Sequence, residues 1–120
     1  MASFEIYGGK PLKGELIPQG AKNEALQVLC APLLTAEKVT ISNIPDIIDV
    51  NKLITLLGNL GVKIQRNERG SITFQSDEVN VGYLETEAFK KEGGALRGSI
   101  MIVGPLLARF GKGYIPKPGG

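Results

Sequence analysis

Apolar and polar residues change their spacing several times along this chain, and each change marks an element. Phe4-Glu5-Ile6-Tyr7 alternates with period two, and so does Leu12-Lys13-Gly14-Glu15-Leu16-Ile17, with Gly8, Gly9 and Pro11 between them. Both runs predict short strands. From Asn23 the spacing switches: Leu26, Leu29, Cys30 and Leu33 recur at three and four residues, which predicts a helix ending near Leu34, where Pro32 and Thr35 stop it. Lys38 to Ser42 alternates again as a strand. A second helix fits Asp46 to Asn59, with Val50, Leu53, Ile54 and Leu57 as its apolar stripe and Gly58 and Gly61 as its stop. Val62 to Arg66 and Ser71 to Gln75 alternate on either side of Asn67-Glu68-Arg69-Gly70, which predicts a hairpin. Beyond a polar stretch rich in Glu and Lys, Leu96, Ile100, Val103 and Leu107 return to helical spacing. Gly104-Pro105 is expected to bend that helix. Gly113 opens a further strand, followed by Pro116-Lys117-Pro118-Gly119-Gly120.

From Leu12 to Gln75 the predicted order is strand, helix, strand, helix, strand, strand, the alternation of an α/β layer with helices packed on a sheet. Sixteen glycines and seven prolines fall between the apolar segments as punctuation, with no linker-like cluster, so one domain with short elements is expected. A length of 120 residues allows one hydrophobic core and not two. A domain rarely ends on a fresh strand and an open Gly-Gly turn, since both leave backbone groups without partners, so the chain reads as cut short.

Charge and reactive residue types narrow the chemistry. Fourteen basic and twelve acidic side chains are scattered without a basic run, which does not indicate a nucleic-acid or membrane surface. The start lacks a basic-then-apolar leader, making the cytoplasm the expected compartment. Cys30 is the only cysteine and there is no histidine, which removes internal disulfides, cysteine metal clusters and the commonest general base.

Pro18-Gln19-Gly20-Ala21-Lys22-Asn23-Glu24-Ala25 combines a glycine turn with a helix start, where backbone N–H groups and the Lys22 charge suit an anion. Asn23 can donate and accept for a sugar or amide group. The plainer alternative is that Asn23 caps the helix and Lys22 is solvated. Arg97 follows Gly93-Gly94-Ala95-Leu96 at another glycine-led helix start, and its planar fork suits a diphosphate or carboxylate; an ordinary surface arginine fits as well. Cys30, on the apolar face with Leu26 and Leu33, reads as a core residue. Glu85, Glu87, Lys90, Lys91 and Glu92 read as a solvated face, and Gly119-Gly120 as a plain turn.

At these residues the chain resembles the UDP-N-acetylglucosamine enolpyruvyl transferases. Leu12-Lys13-Gly14-Glu15 with Gln19-Gly20-Ala21-Lys22-Asn23-Glu24-Ala25 is similar to the family's opening. Leu96-Arg97-Gly98-Ser99-Ile100-Met101 leading to Gly104-Pro105-Leu106-Leu107-Ala108-Arg109-Phe110-Gly111 is similar to its arginine-led helix, and Pro118-Gly119-Gly120 to the turn before its catalytic loop. The resemblance implies transfer of the enolpyruvyl group from phosphoenolpyruvate to the 3-hydroxyl of UDP-N-acetylglucosamine with release of phosphate, the first committed step of peptidoglycan synthesis. It implies that Lys22 binds phosphoenolpyruvate and supports catalysis, that Asn23 contacts substrate and that Arg97 holds the nucleotide sugar. No metal or organic cofactor is implied. The implied fold is two similar domains, each of three βαβαββ units; residues 12–75 correspond to one unit, preceded by a first strand, and 76–120 to the start of the next.

Glycine after Arg97 and Met101 depart from the alanine and aromatic residue of many members, and Glu92-Gly93-Gly94 lengthens the approach to the helix. The family's general acid, cysteine or aspartate, is expected directly after Gly120. The 120 residues alone are therefore expected to be inactive, and to show weak stability or self-association through unfinished edges. Two rivals remain: the sister enzyme of the shikimate pathway, which typically carries Lys-Ser where this chain has Lys22-Asn23, and a non-catalytic α/β module.

Overall fold

The computed structural model describes residues 2–115 and 117. Three strands form one antiparallel sheet in the order β1-β3-β2, with β1 at Lys38–Ile41, β2 at Lys63–Arg66 and β3 at Ile72–Gln75. Register brings Val39 and Ile64 to either side of Phe74, and Ile41 and Arg66 to either side of Ile72. Ile72 and Phe74 are buried. One residue along, Thr40, Thr73 and Gln65 pair on the opposite face, which is polar; the Thr40 and Thr73 hydroxyls lie 2.8 Å apart and Asn67 donates to Thr73 at 2.9 Å. The period-two alternation thus covers one face with helices and leaves the other to solvent.

Helix α2, Ile48–Asn59, supplies the centre of the core. Its predicted stripe of Val50, Leu53, Ile54 and Leu57 is buried, joined by Leu56 and by Leu60 just past its end. Each such side chain contributes roughly 1.5–3 kcal/mol of burial free energy before entropy is set against it. The helix begins two residues later than the pattern predicts, with Asp46 outside it accepting from Asn51 at 2.8 Å. It stops as expected: Gly61, at φ 104°, donates to the Gly58 carbonyl and Val62 to that of Leu57, closing the orphan carbonyls of the last turn. The hairpin also follows expectation, closed by Asn67 N–H donating to the Ser71 carbonyl and Ser71 N–H donating to the Glu68 carbonyl, each at 2.9 Å.

Five expectations need correction. The two N-terminal runs form no strand: residues 2–17 have no regular structure, and Phe4, Leu12 and Leu16 are 97%, 98% and 95% exposed. Alternation describes a strand that has a partner, and no described strand pairs with this segment. It stretches the molecule to a radius of gyration of 17.5 Å, against about 13.6 Å for a compact chain of this length. The helix predicted from Asn23 to Leu34 is divided into α1, Lys22–Val28, and a 3₁₀ segment, Ala31–Leu34. Pro32 cannot donate to an α-helical ladder, and the tighter turn accommodates it.

The Glu- and Lys-rich stretch is not merely a solvated surface. It forms α3, Glu87–Ala95, capped by the Thr86 hydroxyl and anchored by buried Phe89. Glu92 accepts from Asn59 at 2.9 Å and from the Tyr83 hydroxyl, whereas Glu85, Glu87, Lys90 and Lys91 are exposed as expected. The final helix is likewise two pieces, a 3₁₀ segment Arg97–Ile102 and α4, Val103–Phe110. Pro105 falls in the first turn of α4, where its missing N–H has no helical acceptor to lose, so the change of helix type replaces the predicted bend. Tyr114 and Ile115 are not in a strand, and the Pro118-Gly119-Gly120 turn lies outside the described residues.

Candidate active site

Lys22 and Asn23 stand in the first turn of α1, and Arg97 opens the 3₁₀ segment that packs on α1. Although 74 positions separate Asn23 from Arg97, all three line one open cleft of about 720 Å³. Leu26, Ile100 and Met101 provide its apolar surface, and Gln27 and Asp49 further polar groups. Two basic side chains in a mixed polar and apolar cleft can fix an anion and pack an adjoining less polar group.

Two close approaches create this arrangement. A Cβ on Gly20 would stand 2.0 Å from the Asn43 carbonyl oxygen, so only glycine lets the turn before α1 rest on the loop leading to α2. A Cβ on Gly98 would meet Leu26 Cδ1 at 3.1 Å, so the missing methyl seats the Arg97 segment closely on α1. Ser99, buried, donates to the Gly93 carbonyl at 2.8 Å and ties the same segment to the end of α3.

Asn23 does not cap α1; Ala21 occupies the N-cap without a side-chain bond. Because α1 is only seven residues long, the Lys22 charge outweighs its small dipole as an anion attractor. Lys22 Nζ lies 3.3 Å from Asp49 Oδ2, with the two side chains 49% and 44% exposed. This contact is worth little to stability, about 0–1 kcal/mol, but it holds the ammonium over the cleft. Asp49 went unmarked in the sequence because it looks like any acidic residue in the first turn of a helix; its pairing arises only when α1 packs on α2. Cys30 is 2% exposed, donates to the Leu26 carbonyl at 3.4 Å, and is absent from the cleft; burial pushes its thiol up to about 12, an inert core group as expected. Among the described residues, no cluster of three or more His, Cys, Asp or Glu is placed to hold a metal, and no helix is long and apolar enough to cross a membrane.

The profile of the EPSP synthase (3-phosphoshikimate 1-carboxyvinyltransferase) family matches residues 6–120. The chain belongs to this family. All 120 residues also align with proteins named UDP-N-acetylglucosamine 1-carboxyvinyltransferase: 56% identical in Porphyromonas gingivalis W83, 54% in Bacteroides thetaiotaomicron and 55% in Bacteroides fragilis. Each alignment covers 100% of this chain and 28% of the relative, so the chain spans little more than a quarter of the length of the curated relatives it matches. The family's α/β character agrees with the small sheet and four α-helices among the described residues.

Proposed function

We propose that the protein carrying these residues transfers the enolpyruvyl group of phosphoenolpyruvate to the 3-hydroxyl of UDP-N-acetylglucosamine, releasing phosphate, as the first committed step of peptidoglycan synthesis in the cytoplasm. The observation that carries this reading is the meeting of Lys22, Asn23 and Arg97 at one cleft, in a chain more than half identical to relatives bearing that activity's name. Both substrates are anions. Lys22 binds phosphoenolpyruvate and stabilises charge as the hydroxyl adds, Asn23 contacts substrate beside it, and Arg97 holds the nucleotide sugar by its diphosphate. Asp49, 3.3 Å from Lys22 Nζ, orients that side chain until substrate arrives.

On this reading residues 12–75 correspond to one repeating unit and 76–120 to the start of the next. The facing wall of the cleft, and a general acid that is cysteine or aspartate, come from beyond Gly120. The 120 residues alone are inactive because substrate is neither enclosed nor supplied with that acid.

The sister reaction on shikimate 3-phosphate is the competing reading, disfavoured by Asn23 in place of serine. Phosphate release by the full-length protein is measured with phosphoenolpyruvate and either acceptor. Release with UDP-N-acetylglucosamine and none above background with shikimate 3-phosphate is expected; the reverse pattern would overturn the assignment.

A further inference from the structure

The cleft is built where two arms of helix lie against each other. One runs through α1 into the 3₁₀ segment Ala31–Leu34; the other runs from the 3₁₀ segment Arg97–Ile102 straight into α4. At one end the arms meet at Gly98 and Leu26, beside Lys22, Asn23 and Arg97. At the other end α4 packs on Ala31–Leu34, and there the Arg109 side chain bridges them. Arg109 Nη1 donates to the carbonyls of Leu33 at 3.1 Å, Thr35 at 3.0 Å and Ser76 at 2.7 Å. Its guanidinium carbon lies 4.7 Å from the centre of the Phe110 ring.

These partners belong to two different places in the fold. Leu33 and Thr35 lie at the carbonyl end of the first arm, and Ser76 directly follows β3 in the sheet. A permanently charged donor that bridges three backbone carbonyls, half-buried and stacked on a ring, fixes α4 against the first arm and the sheet together. Since Arg97 rides on the segment continuous with α4, that fixing extends to the cleft.

We propose that Arg109 is a positioning residue: by clamping α4 to the Leu33, Thr35 and Ser76 carbonyls, it sets the placement of Arg97 opposite Lys22 and Asn23. The inference rests on the substrate roles given above for those three residues. A lysine at position 109 keeps the charge but ends about one bond short and loses the planar stacking, so it cannot hold all three carbonyls together.

The test uses the full-length protein with Arg109→Lys, Arg109→Gln, Arg97→Ala, and each position-109 change combined with Arg97→Ala; folding is checked by circular dichroism below the melting transition. UDP-N-acetylglucosamine affinity is measured by calorimetry, and KM and kcat by phosphate release. Arg97→Ala is expected to weaken binding on the order of 10- to 100-fold. Arg109→Lys is expected to raise KM for the nucleotide sugar about three- to tenfold, below the roughly hundredfold that a 1 Å misplacement can cause, with a smaller change in kcat. In the Arg97→Ala background that increment should vanish, because Arg109 acts through Arg97. A merely structural arginine would lower the melting temperature and leave KM alone. Folded Arg109→Lys and Arg109→Gln proteins that bind within twofold of wild type, or that lose the same factor without Arg97, would overturn the proposal. Unchanged binding by Arg97→Ala would instead remove the substrate role of Arg97 on which the clamp depends.

Discussion

Replacing Gly20 with alanine tests whether the cleft is built by close backbone approach. The added Cβ would stand 2.0 Å from the Asn43 carbonyl oxygen and 3.1 Å from Pro45 Cδ. Ordinary carbon–oxygen contacts begin near 3.3 Å, so the turn and the loop must part by roughly 1.3 Å. The obstructing atom is backbone, which cannot swing aside as a side chain could. Asn43 already occupies the left-handed region at φ 57°, and the next residue, Ile44, donates to the Gly70 carbonyl at 2.9 Å, tying the loop to the hairpin turn. Overpacking of about 1–3 kcal/mol, with partial loss of a hydrogen bond worth about 0.5–1.5 kcal/mol, gives an expected destabilisation of about 2–4 kcal/mol. At a urea slope of about 1–3 kcal/mol per molar, the unfolding midpoint of the full-length protein should fall on the order of 1 M. Gly104→Ala is the control: nothing lies within 4 Å of the new methyl in α4, and a midpoint equal to or slightly above wild type is expected, from about 0.5–1 kcal/mol of helix stabilisation. A Gly20→Ala protein as stable as Gly104→Ala would refute the close-approach argument.

Cys30 should resist alkylation in the native protein between pH 7 and 9 and react only on unfolding, as read by peptide mass mapping; rapid native labelling would contradict its burial. Its folded thiol, pushed up to about 12, lies above the ordinary range of about 8.5, so its contribution to stability is full below the ordinary range and declines as pH rises from there towards 12, by at most about 1.4 kcal/mol per pH unit. A rise in the Cys30-dependent part of stability over that window, measured against Cys30→Ala, would show the sign to be wrong. Asp49→Asn should alter stability by less than about 1 kcal/mol because its pair with Lys22 is half-exposed, and a loss above 2 kcal/mol by urea unfolding would mean the pair is far better shielded than its geometry indicates.

What could be read from the sequence was set by how local each interaction is. The α2 stripe, its Gly61 stop and the hairpin around Asn67–Ser71 depend on neighbours within a few residues, and they appear where the pattern placed them. The Phe4–Tyr7 and Leu12–Ile17 alternations needed a partner strand, something no local pattern encodes. Helix α3 was hidden because only Phe89 and Gly93 are buried in it, while Glu92 is held by Tyr83 and Asn59 from other elements. At the cleft, Lys22, Asn23 and Arg97 stood out through their glycine turns and their resemblance to known blocks. Asp49 did not, and away from the cleft the contacts of Arg109 were hidden inside such a block, because their partners lie 27 and at least 33 positions away in the chain.

If Lys22 supplies the charge on which the proposed enolpyruvyl transfer depends, phosphate release by full-length Lys22→Ala must expose it. With phosphoenolpyruvate and UDP-N-acetylglucosamine both saturating, the wild-type protein should turn over, and the variant should retain wild-type circular dichroism and urea midpoint within about 1 kcal/mol, since it loses only a half-exposed ion pair. Turnover should fall by about two to three orders of magnitude, the scale on which removing one preorganised electrostatic group from a transition state is felt. Phosphate release by the folded variant within a few fold of wild type would contradict the account.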